Sequence, residues 1–211
     1  MLNICNNCGQ YHADKIIDPE GPYAICPECN HKIPFLQLPL LIVTGAGGTG
    51  KSTVCNSLLG KNNEAVILDS DILWGEEFNK PENAYRAYFE TWLRVSKNIA
   101  QSGRPVVLFG AGLGVPGNIE PCIERRYFSD IYYLGLYCSA DILTARLKDR
   151  PEWRNAGNIK FIEDQIKFND WFMQYGNKKP AIDLLDTANV PIEKTVQDVS
   201  LWISAKLNNL A

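Results

Sequence analysis

The stretch Leu38-Pro39-Leu40-Leu41-Ile42-Val43-Thr44-Gly45-Ala46-Gly47-Gly48-Thr49-Gly50-Lys51-Ser52 decides the fold. Its first part, 38–43, is an apolar run that reads as a buried strand, and 52–59 continues as a helix. Between them, residues 45–52 fit G-x-x-x-x-G-K-[ST], a loop whose glycines let backbone N–H groups turn inward around a β-phosphate. The helix start adds its positive dipole end to the same place. Lys51 then supplies a point charge to the β/γ-phosphates and Ser52 a hydroxyl to Mg²⁺. The expected cradle for ATP comprises Gly45, Ala46, Gly47, Gly48, Thr49, Gly50, Lys51, Ser52 and Thr53. A glycine-rich turn with a chance Lys-Ser is the bland alternative. The strand before and the helix after are the context that the phosphate-binding reading requires.

Working outward, strands and helices alternate. Residues 65–71 read as a second strand ending in Asp69 and Asp71. A long amphipathic helix over 82–102 carries Tyr85, Tyr88, Phe89, Trp92 and Ile99 at three- and four-residue spacing, and Gly103 ends it. A third strand at 105–109 leads into the glycine-rich turn 110–117 and a short helix over 119–126. A fourth strand at 131–138 and a fifth at 181–185 are separated by helices over 140–148 and 159–175. Pro191 opens a last helix that runs to about 207. This alternation implies right-handed βαβ units on a parallel sheet covered on both faces.

At 211 residues the chain suits one main domain with a small appendage. A net charge of −3 gives no general basic field, so wrapping of duplex nucleic acid is disfavoured. No apolar run reaches transmembrane length, and Met1-Leu2-Asn3-Ile4-Cys5 lacks the charged and apolar regions of a signal peptide. A cytoplasmic, reducing location is expected. There, the seven cysteines read better as metal ligands or buried thiols than as disulfides.

Cys5-Asn6-Asn7-Cys8 and Cys26-Pro27-Glu28-Cys29 form two C-x-x-C pairs separated by residues 9–25, a spacing suited to a tetrathiolate Zn²⁺ site. The intervening Asp18-Pro19-Glu20-Gly21 turn suggests a small hairpin. With Gly9 and His31 close behind the pairs, the first 35 or so residues resemble a zinc ribbon. His12 and His31 are the only histidines, and either replaces a cysteine if the register differs. Lys15 and Lys32 against Asp14, Asp18, Glu20 and Glu28 make this segment mildly acidic, which points to a structural or protein-docking role. So few apolar residues cannot supply a core, and metal binding would provide the folding free energy.

Asp69 and Asp71 fall on one face of an extended strand, beside the phosphate loop. Phosphoryl transfer needs a Mg²⁺ near the γ-phosphate and a positioned acceptor hydroxyl with a carboxylate near its proton. Asp69, deeper in the strand, suits the ion and Asp71 the acceptor; a polar strand end capping the next helix is the alternative. Arg146, Arg150 and Arg154 recur every fourth position, and Pro151 ends the helix near them. That leaves Arg150 and Arg154 on a loop free to close over phosphates, where guanidinium groups stabilise charge in transfer. Trp74, just past Asp71, and Arg86, with Tyr85, Tyr88, Phe89 and Trp92, are candidate lining for an acceptor pocket. Aromatics at helical spacing are more often core.

Residues 45–52, Asp69-Ser70-Asp71, the turn 110–117, Arg146 with Arg150, and Leu185-Asp186-Thr187 together resemble the P-loop small-molecule kinases, the group that contains adenylate, shikimate and gluconate kinases. The resemblance covers residues 38–211, with residues 1–37 as the ribbon. It implies an α/β, three-layer P-loop NTPase fold with a five-stranded parallel sheet in order 2-3-1-4-5, a mobile lid and an acceptor pocket between helices. It also implies that Arg146 stacks on adenine, Arg150 clamps phosphates, and Asp186 and Thr187 lie by the base. Transfer of the γ-phosphoryl of ATP to a small hydroxyl-bearing acceptor follows, whether a nucleoside, nucleotide or sugar-like molecule. No Asp-Gly-x-Pro-Arg follows the third strand, which weighs against a nucleoside monophosphate. The alternatives are an NTP-hydrolysing switch that recruits a partner through the ribbon, and a polynucleotide 5′-kinase.

Overall fold

The computed structural model describes residues 2–175 and 178–208. Three short strands, β1 (Ile16–Asp18), β2 (Tyr23–Ile25) and β3 (Lys32–Pro34), form an antiparallel sheet in chain order. The main sheet follows. β4 (Leu40–Gly45) leads through the phosphate loop into α1 (Lys51–Leu58), then come β5 (Val66–Asp69), α2 (Arg86–Ala100), β6 (Val106–Phe109) and α3 (Pro116–Ile119). β7 (Ile131–Tyr137), α4 (Ala140–Lys148), α5 (Ile159–Tyr175), β8 (Ile182–Asp186) and α6 (Ile192–Asn208) complete the chain. The five strands are parallel in order β5-β6-β4-β7-β8, which is the expected 2-3-1-4-5.

Central strands buried on both faces read as unbroken apolar runs, and every residue of β4 is buried. Successive side chains still alternate. Leu40 and Ile42, with Val106 and Leu108, pack toward Trp92, Leu93 and Phe172 of α2 and α5. Leu41 and Val43, with Val107 and Phe109, pack toward Val54, Leu58, Val199 and Ile203 of α1 and α6. The result is three layers, helix on sheet on helix, with the phosphate loop at the carboxyl end of the central strand.

Three expected elements differ. The helix over 82–102 is shorter, because Ala84 and Tyr85 adopt left-handed backbone (φ 49° and 55°) and only then does α2 begin. The helix over 119–126 is replaced by α3 and a 3-10 turn, Ile123–Tyr127, with Pro121 between them, where a continuous helix would lose a hydrogen bond. The second strand stops at Asp69, whose carboxylate accepts from the Asp71 N–H at 2.9 Å and starts a 3-10 turn over Ser70–Leu73. Asp69 therefore caps this turn through one carboxylate oxygen.

The amino-terminal sheet sits against the 3-10 turn Ile123–Tyr127 and the end of α2. Leu2, Ala24 and Phe35 enclose Tyr127. Beside them Lys97 and Glu124 form a buried ion pair, Asn3 bonds to both, and the Lys97 ammonium lies 4.1 Å from the Tyr127 ring centroid. Lys15, also buried, donates to the Asn3 carbonyl at 3.0 Å. Gln101 at the end of α2 exchanges two hydrogen bonds with the Leu36 backbone.

Candidate active site

The phosphate loop turns where side chains cannot follow. Gly45 has φ 143°, and a Cβ there would lie 2.3 Å from the Leu136 carbonyl oxygen, so only glycine lets β4 leave the sheet beside β7. Gly50, at φ 98°, caps α1, and Lys51 is its first residue. The Lys51 ammonium donates to the Gly45 and Ala46 carbonyls at 2.6 and 2.8 Å. Burial and the nearby Arg150 lower Lys51 to about 8, opposed by Asp71 and Asp69. The Gly47 N–H donates to Oε1 of Gln165, on α5, at 2.6 Å. Nothing in the sequence marks Gln165, because the contact spans two distant elements.

Three cavities run through this end of the sheet. The first, about 320 Å³, is lined by Gly48, Thr49, Gly50, Thr53, Arg146, Arg150 and Thr187, with α6 residues behind. Here Arg146 donates to the Thr187 and Ala188 carbonyls at 2.6 and 3.1 Å and to the Thr187 hydroxyl at 3.2 Å. The Thr187 hydroxyl donates onward to the Thr49 carbonyl. Asp186 does not line this cavity; its carboxylate accepts from the Ala188 N–H at 2.8 Å and shapes the turn instead.

The second cavity, about 260 Å³, brings together Gly47, Lys51, Ser52, Asp69, Asp71, Arg150, Arg154 and Gln165. Asp69 and Asp71 meet there, though not as two residues on one strand face. Asp71 belongs to the 3-10 turn that Asp69 starts, and the turn sets it at the edge of this cavity. Burial and the neighbouring Asp69 raise the Asp71 carboxyl, against Lys51 and Arg154. A raised carboxyl suits proton acceptance near neutral pH better than a fully solvated one. Arg154 follows Pro151 on the 3-10 turn Glu152–Arg154, and its guanidinium lies 5.0 Å from the ring centroid of the exposed Trp153. Ser52 and Asp69 offer hard oxygens to one space, which fits a Mg²⁺ between them.

The third cavity, about 220 Å³, is lined by Asp71, Trp74, Tyr85, Tyr88 and Phe89, with Ser70 and 111–113 behind. Of the residues expected here, Arg86 and Trp92 are elsewhere. Arg86 donates to Cys122 Sγ at 3.2 Å, and Trp92 is fully buried with its indole N–H on the Ser70 carbonyl.

Away from this trough, the sulfurs of Cys5, Cys8, Cys26 and Cys29 lie within 4.8 Å of one another. Cys5 to Cys29 and Cys8 to Cys26 are each 3.7 Å. Thiolates about 2.3 Å from one tetrahedral ion sit about 3.8 Å apart, so the cluster could hold zinc. Each pair turns on a left-handed residue just after its second cysteine, Gly9 at φ 76° and Asn30 at φ 57°. His12 stands among carboxylates, 3.3 Å from Glu28, outside the four-sulfur group.

No protein-family model matches the chain, and no curated protein matches it. Solved structures do share its fold. A sugar kinase from Janibacter sp. HTCC2649 is 13% identical with a TM-score of 0.58, covering 79% of this chain and 95% of its own. A gluconokinase from Sinorhizobium meliloti 1021 is 16% identical with a TM-score of 0.55, over 82% and 96%. A deoxyadenosine kinase from M. mycoides, solved with bound dATP, is 15% identical with a TM-score of 0.50, over 80% and 99%. The architecture is thus that of P-loop kinases. Among the described residues, no helix is long and apolar enough to cross a membrane.

Proposed function

We propose that this protein is a phosphotransferase that moves the γ-phosphoryl of ATP to a hydroxyl of a small molecule. The observation that carries the reading is the continuity of the three cavities: Arg150 lines the first and second, and Asp71 and Ala111 line the second and third. A base, a triphosphate and an acceptor placed in that order would lie in line for transfer. The loop amides and Lys51 bind the phosphates, and the Lys51 contacts to Gly45 and Ala46 give way to phosphate oxygens. Arg146 and Thr187 border the base, as they border the first cavity.

Ser52 and Asp69 would hold Mg²⁺, which when bound neutralises β- and γ-oxygens. The acceptor oxygen attacks phosphorus, its proton passes to a carboxylate oxygen of Asp71, and the bond to the β-phosphate oxygen breaks to release ADP. Arg150 and Arg154 stabilise the charge spread over the equatorial oxygens. On this reading residues 1–37 form a zinc ribbon held by Cys5, Cys8, Cys26 and Cys29, residues 38–211 form the kinase domain, and a reducing cytoplasm keeps the thiols available to metal. Metal analysis of the purified protein tests the ribbon; absence of tightly bound zinc contradicts it. ADP release that depends on an added acceptor tests the transfer. Hydrolysis indifferent to every acceptor would favour a switch.

A further inference from the structure

We infer that the acceptor is a small, uncharged, ring-bearing alcohol rather than a sugar acid or a phosphorylated compound; this rests on the transferase reading and narrows it. The third cavity is walled by Trp74, Tyr85, Tyr88 and Phe89, and no described residue that lines it is basic. An anionic acceptor would meet Asp71 at one end and Asp69 just beyond it, with no lysine or arginine in the cavity to pair its charge. Of the basic groups nearest in sequence, Lys80 is exposed and does not line the cavity, and the arginines donate elsewhere. Arg86 is on Cys122, Arg94 on Glu124 and Arg125 on Glu120. Lys51, Arg150 and Arg154 belong to the phosphate cavity.

The aromatic walls also have an arrangement that core packing does not require. Trp74 is 49% exposed, yet it stands edge-on to Tyr88 at 5.2 Å and tilted to Tyr85 at 5.9 Å. Tyr85 reaches this position through a left-handed backbone that bulky residues rarely adopt, and Ala84 before it does the same. Strain of that kind persists where the surroundings over-determine it, and it clusters at ligand sites. The Tyr88 hydroxyl donates to the Ser70 carbonyl at 2.8 Å and so presents only its ring. At about 220 Å³ the cavity is below the roughly 300–1,000 Å³ of pockets that enclose drug-sized ligands, which suits a compact molecule with one ring against the aromatic walls. Aromatic faces recognise such a ring by stacking and by edge contacts, while Asp71 takes the hydroxyl.

The test is γ-phosphoryl transfer from labelled ATP to matched acceptors, adenosine and thymidine on one side and D-gluconate, shikimate and AMP on the other, with ATP binding measured separately by calorimetry. The expected result is transfer to a neutral ring alcohol with kcat/KM on the order of 10²-fold above any anionic acceptor. Trp74→Ala should raise the KM of the ring alcohol about tenfold or more with a smaller change in kcat, and Trp74→Phe should recover most of that loss. Preferred transfer to gluconate, shikimate or AMP overturns the inference. So does ATP binding accompanied by neither transfer to the ring alcohols nor quenching of tryptophan fluorescence by them. Failure to bind ATP at all would instead sink the transferase reading beneath it.

Discussion

On the proposed reading Lys51 carries the charge on which phosphate binding rests, and its surroundings make that charge depend on pH. Burial and Arg150 bring it down to about 8, from an ordinary value of 10.5. Below that pH the free protein already holds the proton; above it, the proton must be regained before phosphates are met by a cation. ATP affinity should therefore weaken by up to about tenfold per pH unit as pH rises through 8, and calorimetry at pH 7 and pH 9 reads it directly. Equal affinity at both contradicts the assignment. The same displacement makes the fold gain stability as pH rises from 8 to 10.5, because the unfolded chain binds the extra proton there. Asp69 and Asp71 divide differently. Asparagine caps as well as aspartate does, so Asp69→Asn keeps the turn at Ser70 and removes only the charge proposed for Mg²⁺. Asp71→Asn should lower single-turnover transfer by roughly 10²–10⁴-fold with little change in nucleotide dissociation constant. Transfer at wild-type speed in Asp71→Asn with a dead Asp69→Asn would reverse the two roles.

On the same reading the short turn that carries Arg154, which lines the second cavity, is the element that closes over phosphates. Pro151 ends α4, and Glu152–Arg154 lies outside any long helix, with Trp153 78% exposed. Arg154→Ala should therefore depress transfer by about 10³-fold, as loss of a cationic finger does, while ATP binding, assigned in the proposal to the loop and Arg146, should change far less. An equal loss in both measurements would place Arg154 in ground-state binding alone. Two helices were legible to the residue: α4 and α5 span 140–148 and 159–175 as expected. The parallel sheet and its order were legible too, through apolar runs and the resemblance. Other features were not. The start of α2 depends on left-handed Ala84 and Tyr85, residues whose types give no hint of that backbone. β3 contains Pro34, which argues against a strand except at an edge, and an edge is where it lies. Gln165 and the turn of Arg86 toward Cys122 are contacts between elements, and one sequence carries no signal for them.

Across the whole molecule, α2 connects the two ends of the structure. Its first turns present Tyr88 and Phe89 to the third cavity, and its last turns hold Lys97 and Gln101 against the amino-terminal sheet. Lys97 and Glu124 are paired where neither reaches water. Removing one partner leaves an unpaired buried charge, so Glu124→Ala should cost about 3–5 kcal/mol of stability in chemical denaturation. The double change Lys97→Met with Glu124→Leu should recover most of it, and a Glu124→Ala protein as stable as wild type would mean that water reaches the pair. Whether base, triphosphate and acceptor lie in one trough and exchange a phosphoryl group is read from a single-turnover measurement. Labelled ATP is mixed with protein, with and without the acceptor panel, and both labelled product and free phosphate are followed. The expected result is labelled product only when an acceptor is present, and none from Lys51→Ala folded as wild type. Release of free phosphate at one rate, whatever acceptor is added, would contradict it.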